Sequence, residues 1–371
     1  KNEVHSVSTP RENAEKNQAS KKQLNMNELK ELIIGVEVAK KTLEIAILEK
    51  ATQKVIGTKS FPNTQKGYSE LLNYVASKTK RCISTVVLES TGVYHENFVD
   101  YCHEIGWAVS VVLPTKIKNF TKVENIKTKN DKVDAKIIAR YGCMFPLKLW
   151  TPMTGNYHEM RTLSRHILAL KKERAMAMTR LSAYKSTKRT PKSIIESEQE
   201  HILCLGDMIE HEEAELKKLA YAEHDFKRRI QKVATIKGIS ELVAIQIICE
   251  VNGFEMFANT RQVTSFAGFD VVERQSGDYA GRTHISKKGN RYIRRLLYMP
   301  AMTAATHGTG KFVDLYQRIA ERNTGTSKLK GLVAVERKLL IIIYTIWRKN
   351  ENYDPDYGDA SAKIASGIAE I

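Results

Sequence analysis

The chain has 371 residues, 42% of them hydrophobic, which suits roughly two or three globular domains, each with its own core. Its 59 Lys and Arg residues against 42 Asp and Glu give a net charge of +17, a balance typical of nucleic-acid-binding proteins. No apolar run is long enough to cross a bilayer, and residues 1–30 do not resemble a signal peptide. Five scattered cysteines without a C-x-x-C pair argue against structural zinc and against a disulfide framework.

The predicted elements of the first part of the chain describe a mixed α/β sheet. Residues 1–30 carry few apolar side chains, which predicts a disordered segment. Apolar or alternating runs predict strands at residues 32–38, 43–49 and 54–60. A helix at 65–79, a strand at 85–88 that ends at Glu89, a helix at 94–105 and a strand at 108–113 follow. Three consecutive strands followed by strands that alternate with helices predict one mixed sheet domain over residues 31–150.

Four acidic residues have related positions in this domain. Glu37 lies within the first strand, Glu89 ends a later strand, and Asp131 and Asp134 stand three residues apart at the start of a helix. Residues at this spacing share a helix face, and neighbouring carboxylates repel unless a cation or a proton lies between them. Carboxylates are the ligands that Mg²⁺ prefers, and two such ions can clamp an in-line phosphoryl displacement. We therefore predict a carboxylate metal site, the alternative being solvated surface residues.

Basic residues surround the two aspartates. Eight Lys or Arg residues lie between Lys116 and Arg140, among them Lys129 and Lys132. This density predicts that a polyanion binds close to the carboxylates.

Residues 151–230 are predicted to form a long helical connector. Apolar residues recur at heptad spacing from Met160 to Tyr184 and again from Ile202 to Leu219, with Pro191 between the two stretches. This pattern is compatible with an antiparallel hairpin that packs within the chain or with a coiled-coil contact between two chains. We favour the contact between chains.

Residues 231–348 are predicted to form a smaller, mostly helical domain, and residues 349–371 a loose tail. A Gly between two Ile residues at 236–239 is typical of a helix-hairpin-helix element, whose amides could hold a phosphate. Ser276 lies between Gln275 and Gly277 in a predicted exposed turn. Between Tyr279 and Pro300 there are six basic residues and no acid, a composition that suits backbone phosphates. These six are Arg282, Lys287, Lys288, Arg291, Arg294 and Arg295.

Five segments resemble one known family. Gly35-Val-Glu-Val-Ala-Lys-Lys-Thr-Leu, Val86-Val-Leu-Glu-Ser-Thr-Gly-Val-Tyr and Lys129-Asn-Asp-Lys-Val-Asp-Ala-Lys resemble the N-terminal domain of the DEDD insertion-sequence transposases. This is the IS one-ten and IS eleven-eleven group, which includes the Piv-type DNA invertases. Gly268–Gly277 and Ile285-Ser-Lys-Lys-Gly-Asn-Arg-Tyr-Ile-Arg-Arg-Leu-Leu-Tyr resemble that family's C-terminal domain. The resemblance covers residues 32–348 and implies a ribonuclease H/RuvC-like domain, a coiled coil and a small helical transposase domain.

The resemblance also implies roles for individual residues. Glu89, Asp131 and Asp134 match the second, third and fourth acids of the tetrad, and Ser276 matches the family's nucleophilic serine. Glu37 stands where the first acid is usually Asp, so either this lineage has adjusted to Glu or the position was altered to slow the reaction. Lys-Asn-Asp also replaces the more usual Lys-Thr-Asp, outside the acids themselves.

The implied activity is metal-dependent DNA strand exchange between an insertion element and its target through a covalent phosphoserine. Two Mg²⁺ ions, with Mn²⁺ as an alternative, are expected at the tetrad. The expected partners are donor and target DNA, a non-coding bridge RNA that pairs with both, and further copies of the chain, as dimers that assemble into a tetramer. The expected location is the bacterial or archaeal cytoplasm, at the nucleoid and not at a membrane.

Three other functions stay open on the sequence. A Piv-like invertase would recombine fixed sites without a guide RNA. A RuvC-type nuclease would hydrolyse junctions with water and would not need Ser276. A catalytically impaired DNA-binding derivative is the function for which Glu37 is the best argument.

Overall fold

The structure, a computed structural model, describes residues 31–78, 83–90, 92–273, 275–277, 279–281, 283–307, 310–321 and 327–354. The predicted segment 1–30 and the predicted tail beyond residue 354 lie outside these ranges. The chain divides after Pro152 into two compact units. None of the described helices is long and apolar enough to cross a membrane.

The first unit is a five-stranded mixed sheet with helices on both faces. The strand order is β3-β2-β1-β4-β5, in which β1 to β3 are antiparallel and β1, β4 and β5 are parallel. The predicted mixed sheet is thereby confirmed. Its elements are β1 (Glu31–Val38), β2 (Thr42–Glu49), β3 (Val55–Pro62), α1 (Gln65–Lys78), β4 (Ile83–Glu89), α2 (Glu96–Glu104), β5 (Ala108–Val112), α3 (Pro114–Val123) and α4 (Asp131–Met144).

Helix α3 is the element of this unit that the sequence does not predict. Pro114 both follows the last strand and begins the helix, a position that suits proline because its missing N–H would have no partner there. On the sequence alone, Pro114 is interpreted only as the end of a strand, and for that reason the helix that begins there is not predicted.

The two faces of the sheet are covered by different helices because side chains alternate along a strand. Leu32, Ile34 and Val36 of β1 belong to the cluster shared with α1 and α2, whereas Ile33 belongs to the cluster shared with α4. Gly35 lies on the α4 face, and a Cβ atom there would stand 2.3 Å from the carbonyl oxygen of Ala135. Helix α4 therefore crosses β1 in direct backbone contact.

The second unit begins with the two long helices that the heptad pattern predicts, α5 (Tyr157–Lys185) and α6 (Lys192–Tyr221). They run antiparallel, because Lys171 pairs with Glu213 at 2.6 Å while Arg180 pairs with Glu198 at 2.7 Å. This is a helical hairpin within one chain, the first of the two arrangements that the pattern allowed. The contact between chains, which we favour on the sequence, stays a prediction. Its middle is held by a separate small cluster composed of Leu170, Ala177, Leu205 and Ile209.

The base of this hairpin and the C-terminal helices share one large core. The last helix, α12 (Ser327–Lys349), contributes a long buried stripe to it that includes Val335, Leu339, Ile343 and Trp347. The remaining elements are α7 (His224–Ala234), α8 (Glu241–Glu250), a 3-10 turn (Asn252–Phe254), α9 (Thr260–Phe266), β6 (Val271–Val272), β7 (Gln275–Ser276), β8 (Tyr279–Ala280), β9 (His284–Ile285), α10 (Arg291–Thr306), α11 (Lys311–Ala320) and α12 (Ser327–Lys349).

Candidate active site

Glu37 and Glu89 lie side by side at the carboxyl ends of two neighbouring parallel strands. Each directly follows the last residue pair in the register between β1 and β4. They stand two residues beyond Gly35 and Val87, both of which lie beneath α4. Because residues two apart share one face of a strand, both glutamates are on the side that α4 covers, where they are half-buried.

Asp131 and Asp134 occupy the first turn of α4. The side chain of Asn130 caps this helix by accepting a hydrogen bond from the backbone N–H of Val133 at 2.9 Å. The partial positive charge at a helix start also favours acidic side chains in the first turn. Thr, the usual residue of the resembling family at this position, is a helix cap as well, which accounts physically for the exchange with Asn.

The negative charges of these carboxylates act on one another. Burial raises the pKa of Glu37 to about 7, assisted by the negative charges of Glu89, Asp134 and Asp131, in that order. Burial and then the charge of Asp134 raise the pKa of Glu89, and burial also raises the pKa of Asp134. The ammonium group of Lys129 opposes the shift in all three. The positive charge of Lys129, predicted as a nucleic-acid contact, thus acts on these carboxylates.

The four carboxylates can be compared with the needs of a divalent cation, which favours several oxygen ligands close together. Among the residues that the structure describes, no three Asp, Glu, His or Cys side chains are close enough to hold one metal ion. The carboxylates nevertheless suit such an ion in two respects: all their donor atoms are oxygen, and they carry mutually repelling charge that a cation would neutralise. Glu37, Glu89, Asp131 and Asp134 fit a hard cation in donor type and charge.

Ser276 lies in the second unit, at the tip of a two-stranded ribbon. Strand β6 pairs with β9, and further along the ribbon β7 pairs with β8, where Ser276 is opposite Tyr279. Gly277 makes the turn with a φ of +55°, a backbone angle that favours glycine. Ser276 is exposed, as the sequence predicts, so its hydroxyl is accessible.

The basic residues after this ribbon form a tightly built loop and the start of α10. The loop packs against the end of α9 through Gly289, where a Cβ would stand 2.3 Å from the carbonyl oxygen of Phe266. Lys287, Lys288, Arg291 and Arg295 are exposed, as is Lys132 in the first unit. Arg282 lies outside the described residues.

Arg294 differs from the four exposed basic residues of this loop and helix, because it is half-buried. It donates a 2.6 Å hydrogen bond to the carbonyl oxygen of Ala267, and burial lowers its pKa. Arg294 therefore holds the end of α9 to α10.

The sequence does not single out Glu250, which organises the base of the basic helix. Its side chain is fully buried and accepts hydrogen bonds from Arg165 at 2.8 and 2.9 Å and from the Asn290 side-chain amide at 2.7 Å. Asn290 in turn caps α10 by accepting from the backbone N–H of Tyr292 at 2.8 Å. One signal for this network is present in the sequence, namely a carboxylate inside the apolar run of α8, where it is costly without partners.

Comparison with known proteins gives a consistent picture. Residues 34–184 match a family model described as "Transposase", the DEDD domain of the IS110 type, and residues 230–317 match "Transposase IS116/IS110/IS902 family". The chain is 26% identical to the pilin gene-inverting protein of Moraxella bovis over 86% of this chain and 97% of that protein. It is 23% identical to the transposase for insertion sequence element IS1111A of Coxiella burnetii, over 90% of this chain and 93% of that protein.

Among solved structures, Thermus thermophilus RuvC in complex with a Holliday junction substrate aligns with 32% of this chain and 99% of that chain. The alignment has 13% sequence identity and a TM-score of 0.24.

Proposed function

Because the chain belongs to the IS110 family of transposases, we propose that it exchanges DNA strands between an insertion element and its target through a covalent phosphoserine intermediate. The observation that carries this proposal is the placement of Glu37 and Glu89 at the ends of neighbouring parallel strands, on the sheet face covered by α4, whose first turn holds Asp131 and Asp134. We assign the catalytic domain to residues 31–150, the connector to 151–230 and the serine-bearing transposase domain to 231–348.

Glu37, Glu89, Asp131 and Asp134 are the proposed ligands for Mg²⁺, with Mn²⁺ as a substitute. A bound divalent ion would supply a Lewis-acid charge that polarises the scissile phosphate and favours ionisation of the attacking hydroxyl. The protein's own contribution is to hold negatively charged oxygens at the end of a rigid sheet. The positive charge of Lys129 beside them suits a DNA phosphate.

Ser276 is the proposed nucleophile. Its Oγ forms a bond to the phosphorus of a backbone phosphate while the bond from phosphorus to the departing deoxyribose oxygen breaks, and the serine proton passes to water. A hydroxyl of the second DNA strand then attacks the phosphoserine, restores the serine and joins the strands. Each step exchanges one phosphodiester for another, so no external energy source is required.

The proposed partners follow from charge and family. The exposed Lys287, Lys288, Arg291 and Arg295 suit phosphates of donor and target DNA or of a bridge RNA, which a protein would hold by backbone and shape. In this proposal dimers assemble into a tetramer in which the serine of one subunit serves the carboxylates of another. The site of action is the nucleoid in the cytoplasm of a bacterium or an archaeon.

A second candidate is site-specific DNA inversion without a guide RNA. The similarity to the pilin gene-inverting protein over 97% of that protein's length favours it. Both candidates share the carboxylates and the serine, and they differ in the need for RNA.

The test is recombination in cells between a donor and a target plasmid, with the element's flanking non-coding DNA supplied or withheld. The parent would be compared with Ser276→Ala, Glu37→Asp and the control Ser265→Ala, which removes another exposed serine of the same unit. We expect recombination that requires Ser276 and the flanking DNA and is unchanged in the control.

Other outcomes separate the alternatives. Recombination without the flanking DNA would establish the invertase. Cleavage that survives Ser276→Ala would establish hydrolysis by water and overturn the serine mechanism. Activity only after Glu37→Asp would show that the glutamate disables the site, and inactivity of every variant would establish a DNA-binding derivative.

A further inference from the structure

Asn63 lies at the same edge of the sheet as the carboxylates but is not one of them. It directly follows β3, whose last residue, Pro62, pairs with Thr42 at the start of β2. The carboxyl ends of β1, β3 and β4 therefore meet at this edge. Asn63 is half-buried there, and its own backbone N–H donates to the carbonyl oxygen of Lys41 at 2.9 Å.

The side-chain amide of Asn63 bridges the two loops that follow the glutamate-bearing strands. Its Nδ2 donates one hydrogen bond to the carbonyl oxygen of Ala39 and another to that of Tyr94, both at 3.0 Å. Ala39 stands two residues beyond Glu37, and Tyr94 stands five residues beyond Glu89. One planar group thus fixes the separation between the two loops.

The third hydrogen-bonding position of this amide is also used. Its Oδ1 accepts a 2.6 Å hydrogen bond from the hydroxyl of Tyr68, which is 3% exposed. The Tyr68 ring packs at 5.3 Å between centroids against both Phe98 and Tyr101 of α2. Because the two N–H groups and the carbonyl are all engaged, the amide has one orientation and is anchored to the core below the sheet.

We propose that Asn63 is a positioning residue of the carboxylate site, which sets the distance between Glu37 and Glu89 and thereby the affinity of the site for a divalent cation. This inference rests on the proposed function, since it concerns the same carboxylates. Asn63 itself contacts neither the carboxylates nor the DNA in this proposal. It acts through the two loops, whose spacing must be held to a fraction of an ångström for a metal site to be effective.

The test measures metal binding without the reaction. The full-length protein would be titrated with Mn²⁺ while its thermal unfolding midpoint is followed, and Mn²⁺ binding would be confirmed by electron paramagnetic resonance. We expect Asn63→Ala to raise the Mn²⁺ concentration for half-saturation about tenfold, which corresponds to about 1.4 kcal/mol. Tyr68→Phe, which keeps the amide and removes only its anchor, should raise it by a smaller factor of about three.

The matched control is Asn73→Ala, which removes an exposed asparagine of α1 in the same unit and should leave half-saturation unchanged. A merely structural role for Asn63 would lower the midpoint in the absence of metal and leave the half-saturating concentration as in the parent, and that result would overturn the inference. Should Asn63→Ala fail to fold, Asn63→Ser, which retains one donor, is judged by the same criterion.

The parent protein separates the two proposals. If the parent binds Mn²⁺ and the Asn63 variants bind it equally tightly, the positioning role alone is disproved. A parent that binds no divalent cation would overturn the carboxylate metal site and the positioning role together.

Discussion

The guanidinium of Arg165 donates two hydrogen bonds, at 2.8 and 2.9 Å, to the two oxygens of the buried Glu250 carboxylate. The carboxylate is fully buried, whereas the Arg165 side chain is 38% exposed. The same guanidinium lies 4.6 Å from the centroid of the Tyr292 ring in α10. Helices α5, α8 and α10 are therefore joined at one ion pair.

Arg165→Ala should lower the free energy of unfolding by about 3 kcal/mol, because it leaves a buried charge without its cation. Denaturant titration measures the loss. Lys218→Ala provides the comparison, since it breaks an exposed pair with Glu215 and should cost less than about 1 kcal/mol. Equal losses in the two variants would show that burial of Glu250 does not govern the energy of its pair.

Gly35→Ala should destabilise the protein by at least about 2 kcal/mol and weaken metal binding, because the new methyl group would push α4 away from β1. Gly57→Ala on β3 is the matched control, since the three atoms nearest to its Cβ would all belong to the Tyr74 side chain, with the hydroxyl oxygen closest at 2.5 Å. Unfolding and Mn²⁺ titration measure both effects. An alanine tolerated at both glycines would contradict the backbone contact described here.

Asn130→Ala should cost about 1 kcal/mol, because the first turn of α4 loses its cap. Since that turn carries Asp131 and Asp134, metal binding should weaken as well. Asn130→Thr keeps a capping oxygen and should retain both properties. If the threonine variant loses as much as the alanine variant, the side chain of Asn130 has a role other than capping.

Glu336 should make stability depend on pH. Its burial raises its pKa from 4.5 to about 7, against the opposing charge of Arg294. A raised carboxyl pKa stabilises the fold fully below pH 4.5, and this contribution is lost as pH rises to about 7.

Unfolding free energies at pH 5 and pH 8 test this dependence. The free energy of unfolding of Glu336→Gln should rise relative to that of the parent as pH rises. The gain should be about 1.4 kcal/mol for each unit by which the folded-state pKa of Glu336 is raised. The exposed Glu215→Gln serves as the reference variant. A difference between Glu336→Gln and the parent that does not change with pH would exclude Glu336 as the titrating group.

The sequence predicts strands and helices well where periodicity is strong. Strand β1 is predicted at residues 32–38 and observed at Glu31–Val38, and the helix predicted at 65–79 is observed at Gln65–Lys78. Periodicity reports which face of an element is buried, but it does not report the partner. The heptads of α5 and α6 therefore left open a contact within one chain and a contact between chains.

The acidic residues of the candidate site can be predicted from the sequence, whereas the residues that position them, such as Asn63, cannot. Carboxylates at strand ends and at a helix start are visible because charge is unusual next to apolar runs. Asn63 carries no such signal, since an asparagine after a proline is an ordinary turn residue. Its bonds to Ala39 and Tyr94 depend on three-dimensional neighbours that are 24 and 31 residues away in the chain.

The close crossing of α4 over Gly35 has a consequence for how this site can change in evolution. Asp131 and Asp134 lie in the first turn of one helix, whereas Glu37 and Glu89 belong to separate strands of the sheet. Any substitution that shifts the helix moves both aspartates by the same amount and in the same direction. The two aspartates therefore move together, while the two glutamates, on separate strands, can be adjusted one at a time. Glu37 stands at the position where the resemblance to the transposase family implies an aspartate.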